Sequence, residues 1–271
     1  MSFPIAMTGV VAFVLMAVLA PWLAPHDPAA ADLFRRLQPP FWLDGGELSY
    51  PLGCDALGRD ILSRLIYGAR VSIFIGIVVV TLATLIGVLA GLAAGYLGGS
   101  VDTVISGLVD ILLGFPYLIF AIGLMAMMGP GISNIVLALG YKEWVIPCRV
   151  VRGETLAARE MDYVEAARSI GASSNFIMLR EILPNIVTPV IVVATLRIAQ
   201  VIILEASLSF LGLGVQPPTP SWGAMVADGR SFMLDAWWVS TFPGLAIMLL
   251  VLAINLAGQS LRDGLDPRST K

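Results

Sequence analysis

Six long apolar stretches, at residues 5–23, 71–96, 103–128, 132–151, 186–211 and 238–260, leave this 271-residue chain few folds to choose from. Each comes close to or exceeds the ~20 apolar residues a helix needs to cross ~30 Å of hydrocarbon. In lipid every backbone amide must be satisfied within the chain, so such stretches become helices. Composition points the same way: 58% of the residues are hydrophobic and 13% charged, against about 25% charged in a soluble domain. The sequence predicts an all-α membrane protein with six transmembrane helices. The first stretch has no basic start and runs into proline-rich sequence, which favours a retained helix over a cleaved signal peptide. The fourth is interrupted by Lys142 and Glu143.

Several functional classes are excluded by what the chain carries. A net charge of −3 and a pI near 5.1 give no basic footprint for nucleic acid. One histidine, His26, and two cysteines, Cys54 and Cys148, make no metal constellation. No glycine-rich phosphate loop ending in Gly-Lys-Ser/Thr is present, so the chain holds no ATP by that route. Neither an H-E-x-x-H nor a G-x-S-x-G signature supports a membrane hydrolase, and no internal repeat supports a secondary transporter. The chain is read as having no catalytic residue, cofactor or metal of its own, and any energy comes from a partner.

Ionisable residues inside apolar spans are functional candidates, because burying them in lipid is costly. Asp110, Lys142, Glu143, Arg197 and Glu205 qualify as lining a pathway, with structural ion pairing the competing role. Lys142 lies about 15 Å into its span, near the bilayer centre. Neighbours on a helix point ~100° apart, so Lys142 and Glu143 do not satisfy one another. Asp110 is a candidate partner for Arg197. Outside the spans, Asp60 and Arg64 stand four apart and are expected to pair on a helix leading into the second span. Trp222, Trp237 and Trp238 are expected as aromatic anchors at the membrane interface.

Between the fourth and fifth spans, residues 162–170 read as a short amphipathic helix with Val164, Ala167 and Ile170 on one face. Gly171 ends it in the left-handed conformation that glycine tolerates. A second helix, 174–182, is expected to stop at Pro184. Glu165-Ala166-Ala167, then Gly171, then Leu183-Pro184-Asn185 fall at fixed spacing. That order resembles the EAA loop of ATP-binding-cassette (ABC) importer permeases, the segment through which a membrane subunit grips its ATPase. Three further blocks resemble the second permease subunit of the dipeptide, oligopeptide and nickel family: Leu52-Gly53-Cys54-Asp55 on through Gly58-Arg59-Asp60 and Ser63-Arg64 to Ser72, Leu208 to Gly223, and Phe242-Pro243-Gly244 to Arg268. Cys54 stands where the family usually has threonine, and Tyr141-Lys142-Glu143 where its members tend to be uncharged.

The resemblance implies a type I ABC importer permease, a five-helix core preceded by one N-terminal helix. It implies an N-terminal helix and periplasmic segment at 1–70, a permease domain at 71–260 and a cytoplasmic tail at 261–271. The coupling loop, about 152–185, would present Glu165, Ala166, Ala167, Gly171, Leu183 and Pro184 to the ATPase. Implied partners are a homologous permease forming a heterodimer, two cytoplasmic ABC ATPase subunits that use ATP and Mg, an extracytoplasmic substrate-binding protein and membrane lipid. The cargo implied is a di- or oligopeptide, with nickel complexes, glutathione-like or opine-like compounds as alternatives. Five arginines at 149, 152, 159, 168 and 180, with Arg262, Arg268 and Lys271, outweigh the five at 35, 36, 59, 64 and 70 only modestly. The coupling loop therefore sets the topology: multi-pass in a bacterial inner membrane with both termini cytoplasmic. Cys54 and Cys148 then lie on opposite sides, no disulfide joins them, and Cys54 is the one expected to be reachable from outside.

Overall fold

The computed structural model describes residues 2–265, which form helices joined by turns; among them the only β feature is a bridge between Cys54 and Asp60. In chain order the helices are α1 Ser2–Val18, α2 Ala20–Leu23, α3 Ile61–Leu97, α4 Gly99–Gly114, α5 Tyr117–Met128, α6 Ile132–Glu143, α7 Val145–Ala158, α8 Asp162–Ser169, α9 Ser174–Phe176, α10 Leu183–Asn185, α11 Val187–Phe210, α12 Trp222–Gly229 and α13 Trp238–Leu265. A π-helical segment, Ile177–Ile182, joins α9 to α10.

Helix α3 is the axis of the molecule. No proline interrupts residues 61–97, Asp60 caps the start by accepting from the Ser63 amide, and Gly98, at φ 66°, ends the helix. Its 37 residues at ~1.5 Å each reach about 55 Å, well beyond the ~30 Å of a hydrocarbon core. With α11 and α13 it makes three helices, among the described residues, that are each long and apolar enough to cross a membrane. The predicted third span, 103–128, is instead two helices, α4 and α5, meeting at 90°. Pro116 explains the break: it lacks an amide hydrogen and disfavours helical geometry at Phe115, which is extended at φ −92°, ψ 134°. The predicted fourth span is likewise divided, α6 ending and α7 beginning at Trp144.

Helix α7 lies against α3 along a stripe of glycines four residues apart. A Cβ on Gly87 would come within 2.6 Å of the Trp144 carbonyl oxygen, on Gly91 within 2.6 Å of that of Cys148, and on Gly95 within 2.7 Å of the Thr155 side chain. Small residues at this spacing allow two backbones to approach closely, which in lipid supplies the packing that a hydrophobic driving force does not. The 4-residue glycine spacing at 87, 91 and 95 was available in the sequence as a signal for this contact.

At the start of α3 the structure corrects four expectations. The helix expected to lead into the second span is present from Ile61, but Asp60 stands before it as the N-cap, so Arg64 finds its carboxylate in Asp55 rather than Asp60, with Nε to Oδ2 at 3.5 Å. Trp222 is no interfacial anchor. It is fully buried, its indole N–H donates to the Leu65 carbonyl at 2.9 Å, and its ring fills the space that the missing side chain of Gly68 leaves open. Trp238 is buried too, donating to the Cys54 carbonyl, whereas Trp237 stays exposed. Cys54 is wholly buried, and burial pushes its thiol up to about 12, so it is not the accessible cysteine expected. Cys54 and Cys148 are both free. Of the predicted tail, α13 continues to Leu265, while Arg268 and Lys271 lie outside the described residues.

Gly91→Val should force α3 and α7 apart, because the side chain meets the Cys148 carbonyl and Val151 at once. The expected result is a drop of several degrees in the thermal midpoint of the detergent-solubilised protein, with Gly107→Val, where nothing lies within 4 Å, as the unaffected control.

Candidate functional site

The segment after α7 takes its shape from two local stops. Helix α8 ends in a Schellman turn: Gly171, at φ 79°, donates to the Arg168 carbonyl and Ala172 to that of Ala167. Ser173 then caps α9, its hydroxyl oxygen accepting from the Phe176 amide. The predicted second helix does not stop at Pro184. The chain stays helical through Leu183–Asn185 by widening to π register, in which Leu183 donates to Met178. Such π segments recur at functional sites. Ile177 and Ile182, five residues apart, are both buried, as that wider register requires.

One face of the segment is anchored. Val164, Ala167, Ile177 and Ile182 pack with Leu92 of α3, Val151 and Ala158 of α7, and Ile186 and Val190 near the start of α11. Arg159 donates to the Gly95 carbonyl at 3.1 Å, and Arg168 stands over the Tyr96 ring at 5.9 Å. The other face is open. Glu165, Ala166, Gly171 and Pro184 are exposed, Leu183 is half-buried, and Met161, Phe176 and Leu179 add apolar surface. Ile170, expected on the buried face, is 86% exposed: it is the C-cap, where the backbone leaves helical geometry and turns the side chain outward. An apolar patch rimmed by charge and fixed from behind to three long helices has the form of a docking surface.

The intramembrane charges fall into three groups. Glu143, 1% exposed, is held by Arg197, whose Nε donates to Oε1 and whose Nη2 donates to Oε2 at 2.9 Å. The Tyr117 hydroxyl lies 2.8 Å from both Glu143 Oε2 and the Leu139 carbonyl. Lys142, also buried, donates to the Phe115 carbonyl and faces the Tyr117 ring at 5.4 Å. That carbonyl sits at the C-cap of α4, where a cation complements the helix dipole. Both charges thus find partners within the chain, and Arg197 pairs with Glu143 rather than Asp110. Glu205 stands apart, wholly buried, accepting from Ser72 of α3 and Ser209 of its own helix. Asp110 is exposed in a cleft of about 380 Å³ between α4 and α7 that it shares with Arg149 and Arg152. Arg152 is fixed there by two bonds to Asp102, 2.5 and 2.7 Å. Tyr117 and the Phe115 carbonyl were missed from sequence; Pro116 in the middle of an apolar run was the sign that free helix ends occur at that depth.

Residues 83–271 match the model of the family described as binding-protein-dependent transport system inner membrane component, and residues 4–40 that of the N-terminal transmembrane domain of oligopeptide transport permease C. The chain is 46% identical to the di/tripeptide transport system permease protein DppC of Pseudomonas aeruginosa, over 94% of this chain and 84% of that one. It is 46% identical to the dipeptide transport system permease protein DppC of Escherichia coli, over 97% of this chain and 88% of that one. Among solved structures, the inward-facing MetNI methionine ABC transporter aligns with a TM-score of 0.61 at 17% identity, covering 75% of this chain and 96% of that one. At that identity the likeness is one of fold.

Removing one partner of the buried pair should cost more than removing both. Glu143→Leu leaves Arg197 uncompensated and is expected to destabilise by about 3–5 kcal/mol. The double change Glu143→Leu with Arg197→Met is expected to recover most of that loss in thermal or denaturant unfolding of the solubilised protein. Equal losses in single and double variants would show that the pair does not act as a unit.

Proposed function

Because the chain belongs to the family of binding-protein-dependent transport system inner membrane components, we propose that it is the permease subunit of an ATP-driven importer of dipeptides. Members of the family are membrane permeases rather than enzymes. They sit as multi-pass proteins in the inner membrane, in ABC transporter complexes with a separate ATPase and a binding protein. The peptide cargo rests on relatives named as dipeptide permeases at 46% identity. In the finer reading the chain crosses the membrane six times with both termini cytoplasmic, α4 and α5 making one bent crossing and α6 and α7 another. It pairs with a homologous permease above two ATPases.

The observation that carries this reading is the two-faced segment from Asp162 to Asn185. Its outer face, with Glu165, Ala166 and the exposed apolar residues around Ile170, is the surface for the ATPase, and Ala167 anchors it from behind. Gly171 sets the angle between its helices, and Leu183-Pro184 return it to α11. When the ATPases close on ATP, this segment is displaced as a body. Because it is packed on the ends of α3, α7 and α11, the displacement tilts the helices that line the pathway. Within the pathway we place Asp110, the one candidate with an exposed carboxylate in a polar cleft. Lys142, Glu143, Arg197 and Glu205 brace its wall from within the helix packing.

Proteoliposomes holding the full complex should take up labelled dipeptide only with binding protein outside and ATP within; uptake driven by a proton gradient alone would refute the proposal. No atom lies within 4 Å of a Cβ on Gly171, but its φ of 79° strains any L side chain. Gly171→Val is therefore expected to cost ~1–3 kcal/mol of local strain, assemble normally and lose substrate-stimulated ATP hydrolysis. Topology is checked at Ser49, which is exposed in the turns before α3. Ser49→Cys should react with a membrane-impermeant maleimide added to intact cells, while the wild-type protein stays unlabelled because both native thiols are buried.

A further inference from the structure

At the end of α3 remote from the coupling segment, two arginines share too little negative charge. Arg59 donates from Nε to Asp55 Oδ2 at 2.7 Å, and Arg64 reaches that same oxygen only at 3.5 Å. The other oxygen of Asp55 is occupied by the Leu57 and Arg59 amides. Arg64 is 4% exposed, and its Nε and Nη1 are buried with no hydrogen-bond partner. A guanidinium carries five donors in a fixed fork, and leaving buried donors unmet is costly. A further carboxylate, that of Asp228, is exposed and stands 3.6 Å from Arg59 Nη2, beyond hydrogen-bond distance.

Both arginines line a cavity of about 170 Å³, roofed by the loop that carries Gln216, Pro218 and Thr219 and edged by Asp228. At ~30 Å³ per liquid water, that space holds a few waters or the terminal residue of a peptide. We propose that this cleft receives a carboxylate, and that in transport it holds the C-terminal carboxylate of the peptide leaving the binding protein. The proposal rests on the importer reading above. The depth of Arg64 favours a free chain end over an acidic side chain on a folded partner, which would have to be thrust past the Gln216–Thr219 loop. A carboxylate bound end-on to Nη1 and Nη2 of Arg64 meets one of the two donors that the fold leaves open. It also reads the one group that every peptide with a free C-terminus carries, whatever its side chains.

The test uses the complete permease–ATPase complex in nanodiscs without binding protein, with an environment-sensitive fluorophore on Thr219→Cys. The native cysteines are buried and stay unlabelled. Acetate and Ala-Ala should shift the emission in a saturable way, and Ala-Ala amide should not. Arg64→Gln should weaken the response by about tenfold or more. Should that variant fail to fold, Asp228→Asn decides: removing the competing carboxylate from Arg59 should tighten Ala-Ala binding several-fold. Equal responses to acid and amide, unchanged affinity in Asp228→Asn, or a signal only with binding protein would each overturn the inference. If ATP-driven dipeptide import persists in proteoliposomes while the carboxylate response is absent, this site falls and the importer reading stands.

Discussion

The close approach of α3 and α7 governs the arrangement of everything else. Three glycines at 87, 91 and 95 remove the side chains that would hold the two backbones apart. Two helices in lipid gain little from hiding apolar surface, since the tails around them are equally apolar, so contact depends on close packing and on satisfied polar groups. The glycine stripe provides the first. The second comes at its end, where Arg159 donates to the Gly95 carbonyl and Arg152 is clamped by Asp102 of α4. The coupling segment therefore leaves α7 at a point already fastened to the last turns of α3, and the segment's buried face completes that junction.

A second constraint is set by Pro116. Breaking an apolar run frees helix-end carbonyls, at a cost of several kcal/mol for each that goes unmet in hydrocarbon. Lys142 meets one of them at Phe115. A lone lysine at that depth costs ~2.5–3.5 kcal/mol on insertion scales, so cation and carbonyl each relieve the penalty of the other. Glu143, Arg197 and Tyr117 then tie α6 to α11 and α5. The adjacent opposite charges at 142 and 143 thus serve two different helices, which is why pairing between them was never required.

The apolar runs, the helix stop at Gly171 and the two-helix coupling segment were legible in the sequence because each follows from local chemistry: hydropathy, φ preference and short-range periodicity. What was not legible depends on three-dimensional neighbours. Arg64 was assigned to Asp60 by spacing, but Asp60 sits at a helix N-cap and turns its carboxylate to the Ser63 amide. Trp222 had the composition of an interfacial anchor, yet Gly68 of α3 leaves room for its ring, and the indole reaches the carbonyl of Leu65, 157 residues away along the chain. The continuation of helix through Pro184 needed a π register, which period-3.6 reasoning does not anticipate. Arg197 found Glu143 and not Asp110 because the bend at Pro116 takes α4, and Asp110 with it, out of line with α5.

A 37-residue helix without a proline is stiff, and α3 carries the coupling junction at one end and the Arg59–Arg64 cleft at the other. Between them it is gripped by the glycine contact with α7 and by Ser72, whose hydroxyl donates to the buried carboxylate of Glu205 on α11. Glu205 in turn accepts from Ser209, and the Ser209 hydroxyl oxygen accepts from the Val215 amide at the base of the loop that roofs the cleft. The links from Ser72 to Val215 are buried and hydrogen-bonded, and the one between α3 and α7 is close backbone packing. In the importer proposed above, a tilt of α3 imposed from the ATPase side would carry the cleft and its roof with it. On that proposal, side chains of this subunit alone link the cleft to the coupling segment.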